Sequence, residues 1–141
     1  MTSPEPARAS LDAPYADLHP DTVLDALDAV GLRGDGRLIQ LNSYENRVFQ
    51  VFLEDGRVVV AKFYRPGRWS DAQILEEHSF AAELAANEIP VAAAWPLELD
   101  NGPSRLTDIT LKGPTLAQFG TELGSYRFSV TQRLAGRAPE L

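Results

Sequence analysis

Apolar and polar residues follow strand-like patterns most clearly in the middle of the 141-residue chain. Alternation over Arg47–Leu53 and a largely apolar run over Val58–Tyr64 predict two strands. Glu54, Asp55 and Gly56 lie between the two runs and are typical of a hairpin turn. The pattern predicts three further strands, at Leu38–Leu41, Val91–Leu97 and Tyr126–Gln132.

The first of two predicted helices follows residue 17. Its apolar residues, Val23, Leu24, Leu27 and Val30, recur at helical spacing. We expect Asp21 to cap the start of this helix and Gly31 to end it.

The second predicted helix has the stronger start signals. Ser70 and Gln73 have the spacing of a capping box, and Trp69 and Ile74 have the spacing of a hydrophobic staple. The helix should run to about Ala86, because Asn87 and Pro90 stop it.

The order of these elements predicts an α+β fold. We expect a mostly antiparallel sheet of about five strands, with one packed helix and an additional N-terminal helix. Residues 1–16 are rich in Pro, Ala and Ser and are expected to form a disordered tail, so the domain spans 17–141. Residues 100–124 carry several turn signals and are interpreted as an insertion.

Composition excludes several classes of function. The net charge of -7 argues against a nucleic-acid-binding surface, and the absence of cysteine excludes disulfides and thiol catalysis. Only two histidines are present, which makes a multi-histidine metal site unlikely. No apolar run approaches the roughly 18 residues of a membrane span. We therefore expect a cytoplasmic protein that binds neither membrane nor nucleic acid.

Lys62 is the most unusual residue in the predicted sheet, because it lies in the most apolar strand. A buried ammonium is unfavourable unless an opposite charge pairs with it. Glu77 shares a stripe of the following helix with Ile74 and should face the sheet. A strand lysine paired to a glutamate on the next helix is the arrangement that protein kinases use to hold nucleotide phosphates. Two alternatives stay open: Lys62 extends to water, and Glu77 is an ordinary helix carboxylate.

Four segments within residues 18–97 carry a more specific resemblance: HPDTVLDAL, LNSYENRVFQV, VAKFYRPGRWSDAQILEEH and IPVAA. Together they resemble the bacterial stress response kinase A family, which belongs to the aminoglycoside-phosphotransferase-like group of kinases. The later segment YRFSVTQRLAGR is similar more loosely. The resemblance implies the N-terminal lobe of an ATP-dependent serine/threonine protein kinase, with ATP and Mg²⁺ as cofactors and a protein substrate for the full-length kinase.

The resemblance also implies roles for individual residues. Lys62 would contact the nucleotide phosphates and Glu77 would pair with it. The loop Asn42–Asn46 takes the place of a glycine-rich loop, with Ser43 and Asn46 as ATP contacts. The remaining implied ATP-binding residues are Val48 and Val60, around the adenine, and Gln132 and Leu134, at the hinge. As alternatives, the loop residues are simple turn formers and the two valines are ordinary core residues.

The catalytic half of a kinase has no counterpart in this sequence. It contains no His-Gly-Asp, His-Arg-Asp or Asp-Phe-Gly motif, so no catalytic residue or magnesium ligand is assigned. Magnesium ligands are expected only in the second lobe of the resembled family. We therefore expect an ATP-binding lobe that does not transfer phosphate by itself and that self-associates through its exposed lobe interface. Two alternatives remain: a catalytically dead binding or regulatory module, and a lobe of a small-molecule kinase acting on an aminoglycoside, choline or homoserine.

Overall fold

In the described part of the chain, a six-stranded sheet has one helix on each face. The computed structural model describes residues 18–41, 46–65, 69–88, 91–100, 106, 108–121 and 124–133. The helices are α1 (Pro20–Ala29) and α2 (Asp71–Ala86), and the strands are β1 (Gly34–Leu41), β2 (Arg47–Leu53), β3 (Val58–Tyr64), β4 (Ile109–Gly113), β5 (Leu116–Thr121) and β6 (Gly124–Gln132). The expected tail at residues 1–16 lies outside the described residues.

The sheet is antiparallel throughout, in the order β1-β2-β3-β6-β5-β4. Strand β3 is therefore interior, with β2 on one side and β6 on the other. The β2–β3 hairpin forms as predicted, and Gly56 has a φ of 91°, a conformation that glycine adopts without strain. The α+β fold with an antiparallel sheet is confirmed, with six strands where about five are predicted.

Helix α1 covers the face of the sheet that holds the main core. Val23 and Leu27 are fully buried against residues of the sheet such as Phe63 and Phe128. The prediction that Asp21 caps α1 is wrong, because the N-cap is His19 and Pro20 is the first helical residue. Proline suits that position because the first helical N–H has no partner within the helix. Asp21 lies in the first turn, where a negative charge favours the helix dipole.

Helix α2 lies on the opposite face and begins with the predicted capping box. The Gln73 amide donates to Ser70 Oγ at 3.1 Å, and the Ser70 amide donates to Gln73 Oε1 at 2.9 Å. Trp69 packs on the small cluster that contains Ile74, as the staple spacing predicts. Ile74 is the only fully buried residue of α2, so few apolar contacts hold this helix.

Replacing Ser70 with alanine should destabilise the domain by about 1 kcal/mol, because the first turn of α2 loses a capping hydrogen bond. Urea unfolding measures the loss. Ser79→Ala, at an exposed position of the same helix, is the matched control and should change stability by less than about 0.5 kcal/mol. Equal losses in the two variants would show that the capping bond contributes nothing.

The region between α2 and β6 differs from the sequence prediction. The strand predicted at Val91–Leu97 does not form; a single bridge joins Ala94 to Thr131. Pro96 has no N–H to donate to a ladder, which limits pairing there. The segment interpreted as an insertion contributes β4 and β5, which pair with each other and, through β5, with β6.

Candidate functional site

Strand β3 and helix α2 border a cavity of about 340 Å³ on the α2 side of the sheet. The capping box and the staple fix the start of α2 beside the end of β3, and this places side chains from both elements at the cavity. The lining residues are Asn46, Lys62, Tyr64, Trp69, Gln73, Ile74 and Glu77. The cavity thus combines one ammonium, one carboxylate, two amides and two aromatic rings.

Lys62 reaches this cavity from the interior of the sheet. It pairs with Val48 of β2 and Ser129 of β6, and its side chain is half-buried. Its Nζ lies 5.5 Å from the centre of the Tyr64 ring, within the range of a cation–π contact. No described carboxylate lies within 4.0 Å of the Lys62 ammonium.

Glu77 lines the same cavity, but it does not form the predicted ion pair with Lys62. No carboxylate oxygen of Glu77 lies within 4.0 Å of Lys62 Nζ, and Glu77 is exposed. An exposed ion pair adds little stability, so hydration of both charges competes well with pairing. The structure therefore brings Lys62 and Glu77 to one cavity and leaves space between their charged ends.

The face of the sheet that carries Lys62 is less buried than the opposite face. Val59 and Ala61 point towards α1 and are 0% exposed, whereas Val60 and Val48 are half-buried. Residues that lie opposite each other in an antiparallel pair point to the same face, so Val48 and Lys62 are neighbours. An apolar surface beside Lys62 is thus left partly open.

The remaining predicted site residues differ in their position relative to the cavity. Asn46 is at the cavity, where its Oδ1 accepts from the Arg65 amide at 3.3 Å. Gln132 ends β6 beside a separate cavity near Trp95, so the structure does not bring it to Lys62. Ser43 and Leu134 lie outside the described residues.

A series of hydrogen-bonded polar side chains joins α2 to the sheet next to the cavity. His78 Nε2 lies 2.8 Å from the Tyr64 hydroxyl, and His78 Nδ1 lies 2.7 Å from Thr115 Oγ1. The Tyr64 hydroxyl also lies 3.1 Å from the buried Ser129 Oγ. Each buried polar atom in this series therefore has a hydrogen-bond partner.

The surroundings of Tyr64 and His78 shift the pKa values of both side chains. Burial raises the pKa of Tyr64 to about 12, so its hydroxyl keeps its proton at neutral pH. Burial lowers the pKa of His78 below its ordinary 6.5; the nearby Glu77 carboxylate opposes this shift and the Lys62 ammonium adds to it. His78 is therefore mostly neutral at pH 7, with one ring nitrogen donating and the other accepting.

Acid should weaken the contribution of His78 to stability. Because the folded-state pKa is lowered, that contribution is complete above the unfolded value of 6.5 and is lost as the pH falls through the folded value. The measurement is the difference in unfolding free energy between the native chain and His78→Asn at several pH values. This difference should shrink below pH 6.5. A difference that stays constant down to pH 5 would contradict the lowered pKa.

Neither a metal centre nor a membrane segment is evident among residues 18–133 as far as they are described. No group of three acidic or histidine side chains there could hold a metal ion. No helix of that part of the chain has the length and apolarity needed to cross a membrane. The cytoplasmic location stays a prediction.

The fold is that of a kinase-like N-terminal lobe, and its cavity is lined by one ammonium and one carboxylate. The chain belongs to the phosphotransferase enzyme family, whose family model matches residues 37–141.

Curated relatives are named as kinases. Stress response kinase A of Escherichia coli (strain K12) is 58% identical over 79 residues, and the serine/threonine protein kinase RdoA of Salmonella typhimurium is 57% identical over 79 residues. Each alignment covers 56% of this chain and 24% of the relative. The chain therefore spans about a quarter of the length of these relatives.

A solved structure supports the fold. Amicoumacin kinase hAmiN, in complex with AMP-PNP, Ca²⁺ and Ami, has a TM-score of 0.59 to this chain at 20% identity. The likeness covers 91% of this chain and 34% of that protein.

Several residues of the site were not predicted from the sequence. Tyr64, Trp69 and Gln73 line the cavity, and His78 joins α2 to the sheet beside it. Trp69 and Gln73 carry local signals, but those signals indicate only the start of a helix. The tie to Thr115 has no local signal, because the two residues are 37 positions apart.

Proposed function

We propose that this chain is the ATP-binding lobe of a serine/threonine protein kinase that acts in a stress response. The observation that carries this proposal is the position of Lys62, a half-buried ammonium at a cavity shared with Glu77, beside an apolar strand face that is partly open. An ammonium in such a setting favours an anion, and phosphate is the anion that a phosphotransferase must hold.

ATP would lie across the open part of the Lys62 face. Lys62 would hold the phosphates, and Glu77 would limit where the ammonium can move. The half-buried Val48 and Val60 would pack on the adenine ring, and the Asn46 amide would lie at the phosphate end. Ser43, Gln132 and Leu134 complete the proposed set on the strength of the family resemblance.

Magnesium enters this proposal as a partner of ATP. A divalent ion bound with ATP would supply charge stabilisation during phosphoryl transfer. The described residues contain no metal-binding group, so none of them is proposed as a magnesium ligand. The proposed role of these residues is to hold and orient the nucleotide.

The proposed substrate is a protein. Relatives at 57–58% identity include one named as a serine/threonine protein kinase. The amicoumacin kinase is only 20% identical, which supports the fold and not a small-molecule substrate. Self-association through the exposed lobe interface stays a prediction.

Tryptophan fluorescence tests nucleotide binding, because Trp69 lines the cavity. In a Trp95→Phe variant, Trp69 is the only tryptophan, and its emission should change in a saturable way as ATP and Mg²⁺ are added. We expect a dissociation constant no tighter than about millimolar, since affinity depends on an enclosed, preorganised site. Adenosine, which lacks phosphates, is the control and should bind more weakly. An unchanged emission at saturating ATP, or equal affinity for adenosine, would contradict the proposal.

The 141-residue chain should transfer no phosphate above background, because its sequence lacks the kinase catalytic motifs. Incubation of the pure chain with labelled ATP, Mg²⁺ and a general protein substrate measures this. Transfer that disappears in Lys62→Ala would show that the chain is catalytic by itself.

A further inference from the structure

We propose that His78 is a positioning residue that holds helix α2 so that Glu77 stays opposite Lys62. The inference rests on the proposed function, because the separation of these two charges matters only if the cavity holds a phosphate. It concerns a residue that does not line the cavity.

The position of His78 gives it this role. It directly follows Glu77 in α2, and its two ring nitrogens bind two different parts of the sheet: Tyr64 on β3 at 2.8 Å and Thr115 in the β4–β5 turn at 2.7 Å. Tyr64 is two residues from Lys62 on the same strand face. One imidazole thus links the strand that carries the ammonium to the helix that carries the carboxylate.

Helix α2 depends on such ties because its apolar anchoring is weak. Only Ile74 is fully buried in its 16 residues. A second tie lies at its first residue, where Asp71 accepts from Arg127 Nη1 at 2.9 Å. That tie fixes the start of the helix six residues before Glu77, about 1.7 turns away, whereas His78 directly follows Glu77 and makes the polar tie nearest to it.

The β4–β5 turn is shaped to receive this part of α2. A Cβ atom placed on Gly113 would lie 2.6 Å from a methyl carbon of Leu75, so glycine provides the space that Leu75 fills. Thr115 follows two residues later, and its Oγ1 shares a hydrogen bond with His78 Nδ1. The segment between α2 and β6 therefore supports the helix from the side opposite β3.

Two substitutions of His78, each a half-mimic that can keep only one of its two hydrogen bonds, distinguish the effects of those bonds. Asparagine places its amide near the position of Nδ1 and can keep the Thr115 bond; glutamine reaches the position of Nε2 and can keep the Tyr64 bond. Phenylalanine fills the space and keeps neither bond. A positioning role predicts a graded loss, with His78→Phe most affected and the two half-mimics intermediate.

Cross-linking measures the separation of strand and helix without any nucleotide. The chain has no cysteine, so Lys62→Cys with Glu77→Cys introduces a single pair for a short bismaleimide. Gln50→Cys with Val60→Cys, at directly paired positions of β2 and β3, is the control pair. Adding His78→Phe should lower the cross-linking rate of the 62–77 pair by about tenfold, as expected for loss of hydrogen bonds that hold the helix, and leave the control pair unchanged.

Either of two results would overturn the inference. In the first, the 62–77 pair cross-links as fast with His78→Phe as without it. In the second, His78→Phe lowers the cross-linking rate of the control pair as much as that of the 62–77 pair, which would show general destabilisation. Thr115→Val removes only the bond to His78 Nδ1, whereas Tyr64→Phe removes the hydroxyl that contacts both His78 and Ser129. Both changes alter the volume little, so these variants replace His78→Phe if that variant does not fold. If His78→Phe lowers the 62–77 cross-linking rate but the native chain does not bind ATP, the proposed function is refuted and the positioning role stands.

Discussion

Replacing Lys62 with alanine should abolish measurable ATP binding by this chain. Lys62 is the only cation at the cavity among the described residues, and its hydrogen bonds to phosphate would be charge-assisted. Loss of such a contact weakens binding by at least about tenfold. From a millimolar starting affinity, that change moves binding beyond the range of a titration. The Trp69 fluorescence titration measures it.

The other lysine of the chain provides the matched control. Lys112 lies on β4, where its Nζ is 3.9 Å from Asp71 and away from the cavity. Lys112→Ala should keep the ATP affinity of the native chain. If both alanine variants weaken binding equally, a general loss of positive charge explains the effect and Lys62 has no specific role.

Replacing Phe63 with alanine should be the most destabilising single change. Phe63 is fully buried, stacks on Phe128 at 5.3 Å between ring centroids, and meets Phe49 and Phe119 edge-on at 5.9 and 6.2 Å. Removing such a ring leaves a cavity among side chains that cannot all move to fill it. We expect a loss of about 3–5 kcal/mol of unfolding free energy, measured by urea denaturation.

Phe80→Ala is the control for this change. Phe80 is 60% exposed on α2, so its replacement should alter stability by less than about 0.5 kcal/mol. A comparable loss in the two variants would show that the core is not centred on Phe63.

Sequence patterns are sufficient to predict the bounds of an element where its signals are local. The ends of β2 and β3 match the predicted ones because a hairpin turn separates two patterned runs. The start of α2 matches because a capping box and a staple both lie within six residues. The spacing of strand and helix also indicates that Lys62 and Glu77 lie near each other, and both line one cavity.

Sequence patterns were insufficient where pairing is long-range. Strands β4 and β5 contain turn-forming residues such as Gly113 and Gly120, so local patterns indicate an insertion there and no strands. Their pairing with β6 cannot be read from local alternation. For the same reason no local pattern indicates the Thr115–His78 bond. The absence of a close Lys62–Glu77 contact reflects competition with water, which spacing does not report.

The most direct test of the proposed nucleotide site is to map ATP onto the chain by amide chemical shifts in solution. With ATP and Mg²⁺ added to the native protein, we expect the largest shifts at Val48, Val60 and Lys62, and smaller ones at the start of α2. Residues of α1, on the opposite face of the sheet, should not shift. Shifts concentrated on α1, with none at Val60 or Lys62, would contradict the assignment of this face to the nucleotide.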